Sequence, residues 1–316
     1  MHWARRAAAA ALIVACALWY FADQRKNPPG FYLDESSIAY NAWTIAHHGV
    51  DEYGVRFPLY FKAFGEYKNP VYIYLLAGVF ELTHPTNLAA RRFSAFLGFA
   101  AALSLGALAW SLTRRRSVAA ITFLTAIATP NLFEVSRLVF EVALFPLALV
   151  AMLAAVLAAH RRERWNGWIV LALAGSLALI TYTYSTGRLL GVLYAAGLLI
   201  LYTRERRPSL IAVYAIYAAV ALLPIAVYNA RHEGALTVRA RQISFVPMWR
   251  EHPADVLANL ERNYAANLLP LGQSLSGDPN ARHHVQGSGG NVLLMTFALA
   301  AMGTALVIRS RDRFWL

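Results

Sequence analysis

VYIYLLAGVFELTH, residues 71 to 84, follows Pro70 and carries no charge before Glu81. Its fourteen residues fall short of the ~20 that an α-helix needs to cross about 30 Å of hydrocarbon. Whether it crosses decides the orientation of everything after it. Upstream lies one apolar segment, AAAAALIVACALWYFA at 7–22; downstream lie apolar blocks at 93–112, 118–135, 138–159, 167–185, 189–203, 209–229 and 291–308. If 71–84 stays on one side, the arginine clusters at 114–116, 161–164, 204–207 and 309–313 all fall on the side of Arg5 and Arg6. That is the positive-inside pattern, with both chain ends cytoplasmic. If 71–84 crosses, all four clusters face the other way. The segment therefore reads as a re-entrant or interfacial helix, and Arg91 and Arg92 stay outside, next to a long loop where two charges weigh little.

Composition agrees with a lipid environment. Hydrophobic residues make up 58% of 316 and charged residues only 15%, and the apolar residues come in blocks of membrane-spanning length. The expected fold is an all-α polytopic membrane protein of about eight transmembrane helices. Residues 1–316 form a single membrane-embedded module, with large outer loops at 23–90 and 230–290. A net charge of +12 would suggest nucleic acid in a soluble chain, but here the arginines sit between apolar blocks and set orientation, so no nucleic-acid partner is expected. The single cysteine, Cys16, rules out an intrachain disulfide. The first segment reads as a signal sequence or a first helix; IVAC at 13–16 resembles a lipoprotein cleavage site, but a small apolar residue before a buried cysteine is common in any membrane helix, and cleavage is the minor reading. Under either reading residue 23 onward is outside.

The outer segments carry the chemistry. FYLDESSIAYNAW, residues 31 to 43, sets Asp34 beside Glu35 close to a lipid boundary, where an unpaired charge is costly. From Ser36, the residues Ile38, Ala42, Ile45 and Ala46 share one face, with a serine in front and Gly49 behind. They predict a helix lying at the interface with the carboxylate pair at its N-terminus. VRFPLYF and FGEYKNP read as extended. Farther on, NLFEVSRLVFEVALFP brings Glu134, Arg137 and Glu141 to the outer side. Arg137 and Glu141 have the spacing of an intrahelical ion pair. ITYTYSTGR adds Tyr182, Tyr184, Ser185 and Arg188; interface anchoring explains the tyrosines but not the arginine. In the second loop HPADVLANLERNYAANLLP starts a helix at Pro253, with Val256, Leu257, Leu260 and Tyr264 along one side. SGDPNARHHVQGSGG then packs Asp278, Arg282, His283 and His284 into a turn-rich stretch. Two adjacent histidines can bind metal but lack spaced partners, and solvated loop histidines explain them as well.

Taken together, this order resembles the integral-membrane glycosyltransferases of the GT-C fold, the protein O-mannosyltransferases and lipid A aminoarabinose transferases. The matching features are one helix, a first outer loop with an Asp-Glu pair, interfacial helices, a Lys-Pro element, a helical bundle with a Ser-Arg element, and SGDPNARHH in a second outer loop. The resemblance runs from about residue 5 to the end, without the C-terminal region such proteins usually have. It implies inverting transfer of a sugar from a polyprenyl-phosphate donor to a lipid, protein or glycan acceptor at the outer face of the cell membrane. Asp34 would be the general base and Glu35 its acidic neighbour. Arg137 would contact the lipid phosphate, with Glu141 at an acidic position of the family. Lys68 and Pro70 match the Lys-Pro element and Glu66 its acidic residue. Family members of the aminoarabinose type read Glu-Lys-Pro-Pro, whereas this chain reads Glu66-Tyr67-Lys68-Asn69-Pro70, which weakens any metal role for Glu66.

Lys68, Arg137, Arg188 and Arg282 are the cations available to the leaving phosphate, and Glu141, Tyr184, Asp278 and His283 complete the expected substrate contacts. A divalent metal is an open cofactor, with Glu66 and His284 as its weak candidate ligands. Two other classes remain. A lipid-linked glycan transporter would need charges along a path through the bundle, and the apolar blocks have almost none away from their ends. A non-catalytic membrane assembly factor would keep the fold without the chemistry.

Overall fold

The computed structural model describes residues 2–203, 207–238, 252–268, 274–275 and 290–310. It is mostly helical. In chain order the helices are α1 His2–Tyr20, α2 Leu33–His48, α3 Pro70–Leu82, α4 Asn87–Thr113, α5 Arg116–Ala128, α6 Pro130–Val135, α7 Phe145–His160, α8 Gly167–Thr183, α9 Gly187–Thr203, α10 Ser209–Arg231, α11 Pro253–Leu268 and α12 Leu294–Ser310. A 3₁₀ turn, Glu141–Leu144, leads into α7. One antiparallel hairpin, β1 Phe61–Ala63 with β2 Glu66–Lys68 in the register Phe61↔Lys68, qualifies the all-α expectation. Phe64 and Gly65 at its tip both have positive φ, as a tight hairpin turn requires.

Among the described residues three helical stretches are long and apolar enough to cross a membrane: Asn87–Thr113, Glu141–His160 and Ser209–Arg231. Other apolar helices, including α1, α5, α8, α9 and α12, are shorter. Many large apolar side chains on these helices face outward: Ile200 is 79% exposed, Ile211 73% and Leu306 62%. A water-soluble surface rarely presents apolar patches on that scale, whereas lipid is a suitable solvent for them. The chain is a helical membrane protein. The block expected at 118–135 is interrupted at Thr129–Pro130, where proline lacks the N–H that would continue the helix. In α10 the residues Ala218–Leu222 form a π turn just ahead of Pro224, which absorbs the same missing donor.

Three packed regions hold the bundle. Leu173, Leu177 and Ile180 of α8 centre the first, against α7, α9 and α10. Ile38, Ala42 and Ile45 of α2 meet Tyr72, Ile73, Leu76 and Phe80 of α3 in the second. Tyr20, Phe99 and Phe123 join α1, α4 and α5 in the third. The apolar face of α2 therefore packs on α3 inside the protein, which corrects the expectation that this face lies on lipid. Its start also differs: the helix begins at Leu33, three residues before Ser36, because the Glu35 carboxylate accepts from the Tyr32 N–H and caps the first turn. Gly49 ends it in the left-handed region, with its N–H donated to the Ile45 carbonyl.

The ends of α3 matter most for architecture. Lys68, just before it, bonds Asp34, and Arg91, in the second turn of α4, bonds the adjacent Glu35. Tyr72 near its start meets Ser94 of α4. The chain goes out along α3 and returns to where it left. At the far end of the bundle Arg161 bonds Ser111, and Arg207 donates to the Arg162 and Glu163 carbonyls, so Arg161, Arg162 and Arg207 come together at the end of α4 that Arg114, Arg115 and Arg116 follow.

Candidate active site

At the opposite end from those arginines, Asp34 occupies the second position of α2, with its side chain about half exposed. Lys68, the last residue of β2, reaches it at 2.7 Å and also donates to Glu66 at 3.0 Å. Its ammonium is largely buried. Burial alone would lower the lysine pKa, but the bonds to Asp34 and Glu66 and their charges outweigh it and hold the group above its ordinary value. Lys68 is therefore a fixed cation flanked by two carboxylates, one of them open to solvent.

Asn69 ties this cluster to the bundle. It precedes Pro70, which opens α3 as a first-turn proline. The Asn69 backbone N–H and its side-chain amide both donate to the Glu141 carboxylate, the latter at 2.9 Å. The Asn69 side-chain oxygen accepts from Arg188 at 3.2 Å, and Arg188 also donates to the Leu236 carbonyl and lies over the Tyr60 ring, 5.0 Å from its centroid. Burial pushes the Tyr60 phenol above its usual range, keeping it neutral. Around Tyr60 stand Tyr182 and Tyr228, and Tyr228 stacks on His232 at 4.3 Å. A short polar chain thus runs from Asp34 through Lys68 and Asn69 to Arg188, beside a wall of aromatic rings. Such a site pairs an accessible proton acceptor with two cations held in place for an anion.

Several sequence-predicted residues do something else. Glu35 is fully buried and its oxygens are all engaged: Arg91 takes both, at 3.0 and 2.7 Å, and the Val139 and Tyr32 N–H groups supply one more bond each. It anchors α2, α4 and the 136–140 turn, and its lone pairs are not open to a substrate. Arg137 does not pair with Glu141. The helix ends at Val135, so the four-residue spacing carries no helical geometry, and the guanidinium turns to the carbonyls of Tyr20, Ala22 and Asn27. Buried and stacked over Phe133 at 4.1 Å, it closes the C-terminus of α1, a favourable place for a cation. Glu141 is buried on Asn69 and positions the loop rather than meeting solvent. Tyr184 ends α8 and packs edge-on to Phe145 at 6.4 Å.

Among the described residues no three His, Cys, Asp or Glu side chains gather as metal ligands would, and Glu66 accepts from Lys68. Asp278, Arg282, His283 and His284 lie outside the described residues. Two contributors escaped sequence reasoning. In the sequence Arg91 reads only as a charge against the orientation and Asn69 only as an irregularity in the Lys-Pro element. A buried arginine at a helix start needs a carboxylate, and that need was the signal pointing to Glu35. No family model, curated protein or solved structure matches the chain.

Proposed function

We propose that the protein is a membrane glycosyltransferase that moves a sugar from a polyprenyl-phosphate donor to an acceptor hydroxyl or amine. The observation that carries this reading is the Asp34–Lys68 pair: an exposed carboxylate and a buried ammonium 2.7 Å apart, with Arg188 one residue contact farther. Asp34 takes the acceptor proton as the acceptor atom bonds to the anomeric carbon. The bond from that carbon to the phosphate oxygen breaks on the opposite side, its electron pair leaving with the phosphate. Lys68 and Arg188 receive the charge that develops there. Back-side displacement inverts the anomeric centre.

The reading includes an eight-span topology in which α3 does not cross. The return of Lys68 and Arg91 to neighbouring carboxylates supports it, as does the gathering of arginine clusters at the other end. The Asp34 end then lies at the outer face, where a prenyl tail stays in hydrocarbon and its sugar meets water. Asp278, Arg282 and His283 in the second outer loop are proposed as further substrate contacts, and the carrier and the acceptor are a polyprenyl phosphate and a lipid, protein or glycan.

The test is transfer by purified protein given a panel of polyprenyl-phosphate sugars, with products weighed by mass spectrometry. Asp34→Asn is expected to lower the rate by about 10²–10⁴, the usual contribution of a general base. Full activity in that variant would remove Asp34 as the base, and a protein that moves lipid-linked sugar between leaflets without transferring it would be a transporter instead.

A further inference from the structure

Where α4 and α7 approach the arginine-rich end they part, leaving a cavity of about 400 Å³. Its walls are small: Ala107 of α4 and Ala151, Ala154 and Ala158 of α7 all line it, and each is exposed within it. Leu147 lines its far end and Arg161 its mouth. Those two residues are fourteen positions apart, which is ~21 Å along a helix. One leaflet of hydrocarbon is roughly half of 30 Å, so the slot is deep enough for the chain of a lipid rooted at the interface.

The mouth is cationic. Arg161 is exposed, and it is steadied by bonds from Nη1 to the Ser111 hydroxyl (2.7 Å) and from Nη2 to the Ser111 carbonyl. A guanidinium has five N–H donors, so most of its donors are left for a ligand. Arg114, Arg115 and Arg116 follow α4 directly, Arg162 and Arg164 follow Arg161, and Arg207 bonds the Arg162 and Glu163 carbonyls. Glu163 is the one acidic residue among these described loop positions.

We propose that this groove is a binding site for an anionic diacyl phospholipid, with one acyl chain along the alanine wall and the phosphate on Arg161. The charge distribution selects the occupant. Apolar walls with cations only at the interfacial end match an amphiphile with a negative head, and basic pockets between helices are where such head groups bind. A soluble anion would gain nothing from the slot, and an uncharged lipid would gain nothing from the arginines. The site stands at the opposite end of α4 and α7 from Asp34 and does not depend on the transfer reaction.

Native mass spectrometry of the full chain in detergent, titrated with phosphatidylglycerol and with phosphatidylcholine of the same chain length, tests it. Phosphatidylglycerol is expected to give a discrete one-to-one adduct on the order of tenfold tighter than phosphatidylcholine. Arg161→Gln removes that preference, and Ala154→Phe, which fills the groove but leaves every arginine, weakens the adduct severalfold. Ala154→Leu serves the same end should the phenylalanine variant fail to fold. Arg164→Gln, whose side chain does not line the groove, leaves the adduct unchanged. Three results overturn the site: equal binding of the two lipids; wild-type binding in both Ala154 variants; or a loss in Arg164→Gln matching that in Arg161→Gln, which would mean diffuse attraction to the patch. Competition by glycerol 3-phosphate at the same concentration as the lipid would also overturn it, since the acyl chain would then contribute nothing.

Discussion

Asp34 and Glu35 are the same chemical group on consecutive residues, yet a helix turns them about 100° apart and that rotation separates their roles. Asp34 faces solvent and one lysine; Glu35 faces a closed interior and Arg91. The consequence is testable with matched substitutions. Glu35→Gln leaves the Arg91 guanidinium buried without its counter-charge, and removal of one partner from a buried pair costs about 3–5 kcal/mol. Its thermal unfolding in detergent should therefore shift sharply downward. Asp34→Asn takes one of two carboxylates from the largely buried Lys68, which keeps Glu66, so a smaller downward shift than that of Glu35→Gln is expected in the same measurement. Equal unfolding temperatures for wild type and Glu35→Gln would show that the buried pair does not hold α2 to α4. The adjacency of the two carboxylates was readable from FYLDESS; which one stays available was not, because it depends on what meets each face.

At the scale of elements, the joint between α8 and α9 is set by a single hydrogen atom. A methyl group at Gly187 would collide with the backbone carbonyl of Ile180, and backbone cannot swing aside as a side chain can. Gly187→Ala is expected to destabilise the protein by about 1–3 kcal/mol or more through overpacking. It should also displace Arg188, the next residue, and so weaken any anion bound there. Gly175 in the middle of α8 has open space around the same position, and Gly175→Ala should be neutral or slightly stabilising in the same assay because alanine is the better helix former. If both variants unfold alike, the close approach at Gly187 does not constrain the joint. Most helices were legible as apolar blocks bounded by arginines, glycine or proline. The break at Pro130 was hidden inside one apolar block, and the β1–β2 hairpin was legible only as two extended pieces, since strands of three residues carry almost no periodicity.

For the whole molecule, the decisive question is the side on which each loop lies. Replacing Cys16 with serine and then introducing Tyr53→Cys or Ser117→Cys one at a time allows labelling of intact cells with a membrane-impermeant maleimide. Both positions are exposed. Tyr53→Cys is expected to react in intact cells, and Ser117→Cys only after the membrane is opened. Labelling of both from outside would mean that α4 does not separate them or that α3 crosses as well, and the eight-span arrangement would fall. The gathering of arginine clusters at one end, with the acid–base cluster at the other, is the large-scale asymmetry that this experiment reads.

From residue order alone came the lipid environment, the orientation argument and the helix ends at Gly49 and Pro70, because apolar period, charge placement and backbone preference are local properties that one dimension records. The partners of buried charge are not local. Glu35 finds Arg91 across 56 positions and the Val139 N–H across 104, while Asn69 meets Glu141 across 72. Folding alone decided that Arg137 closes α1 instead of pairing with Glu141, because a buried charge must be satisfied by whatever group the packed chain brings within reach.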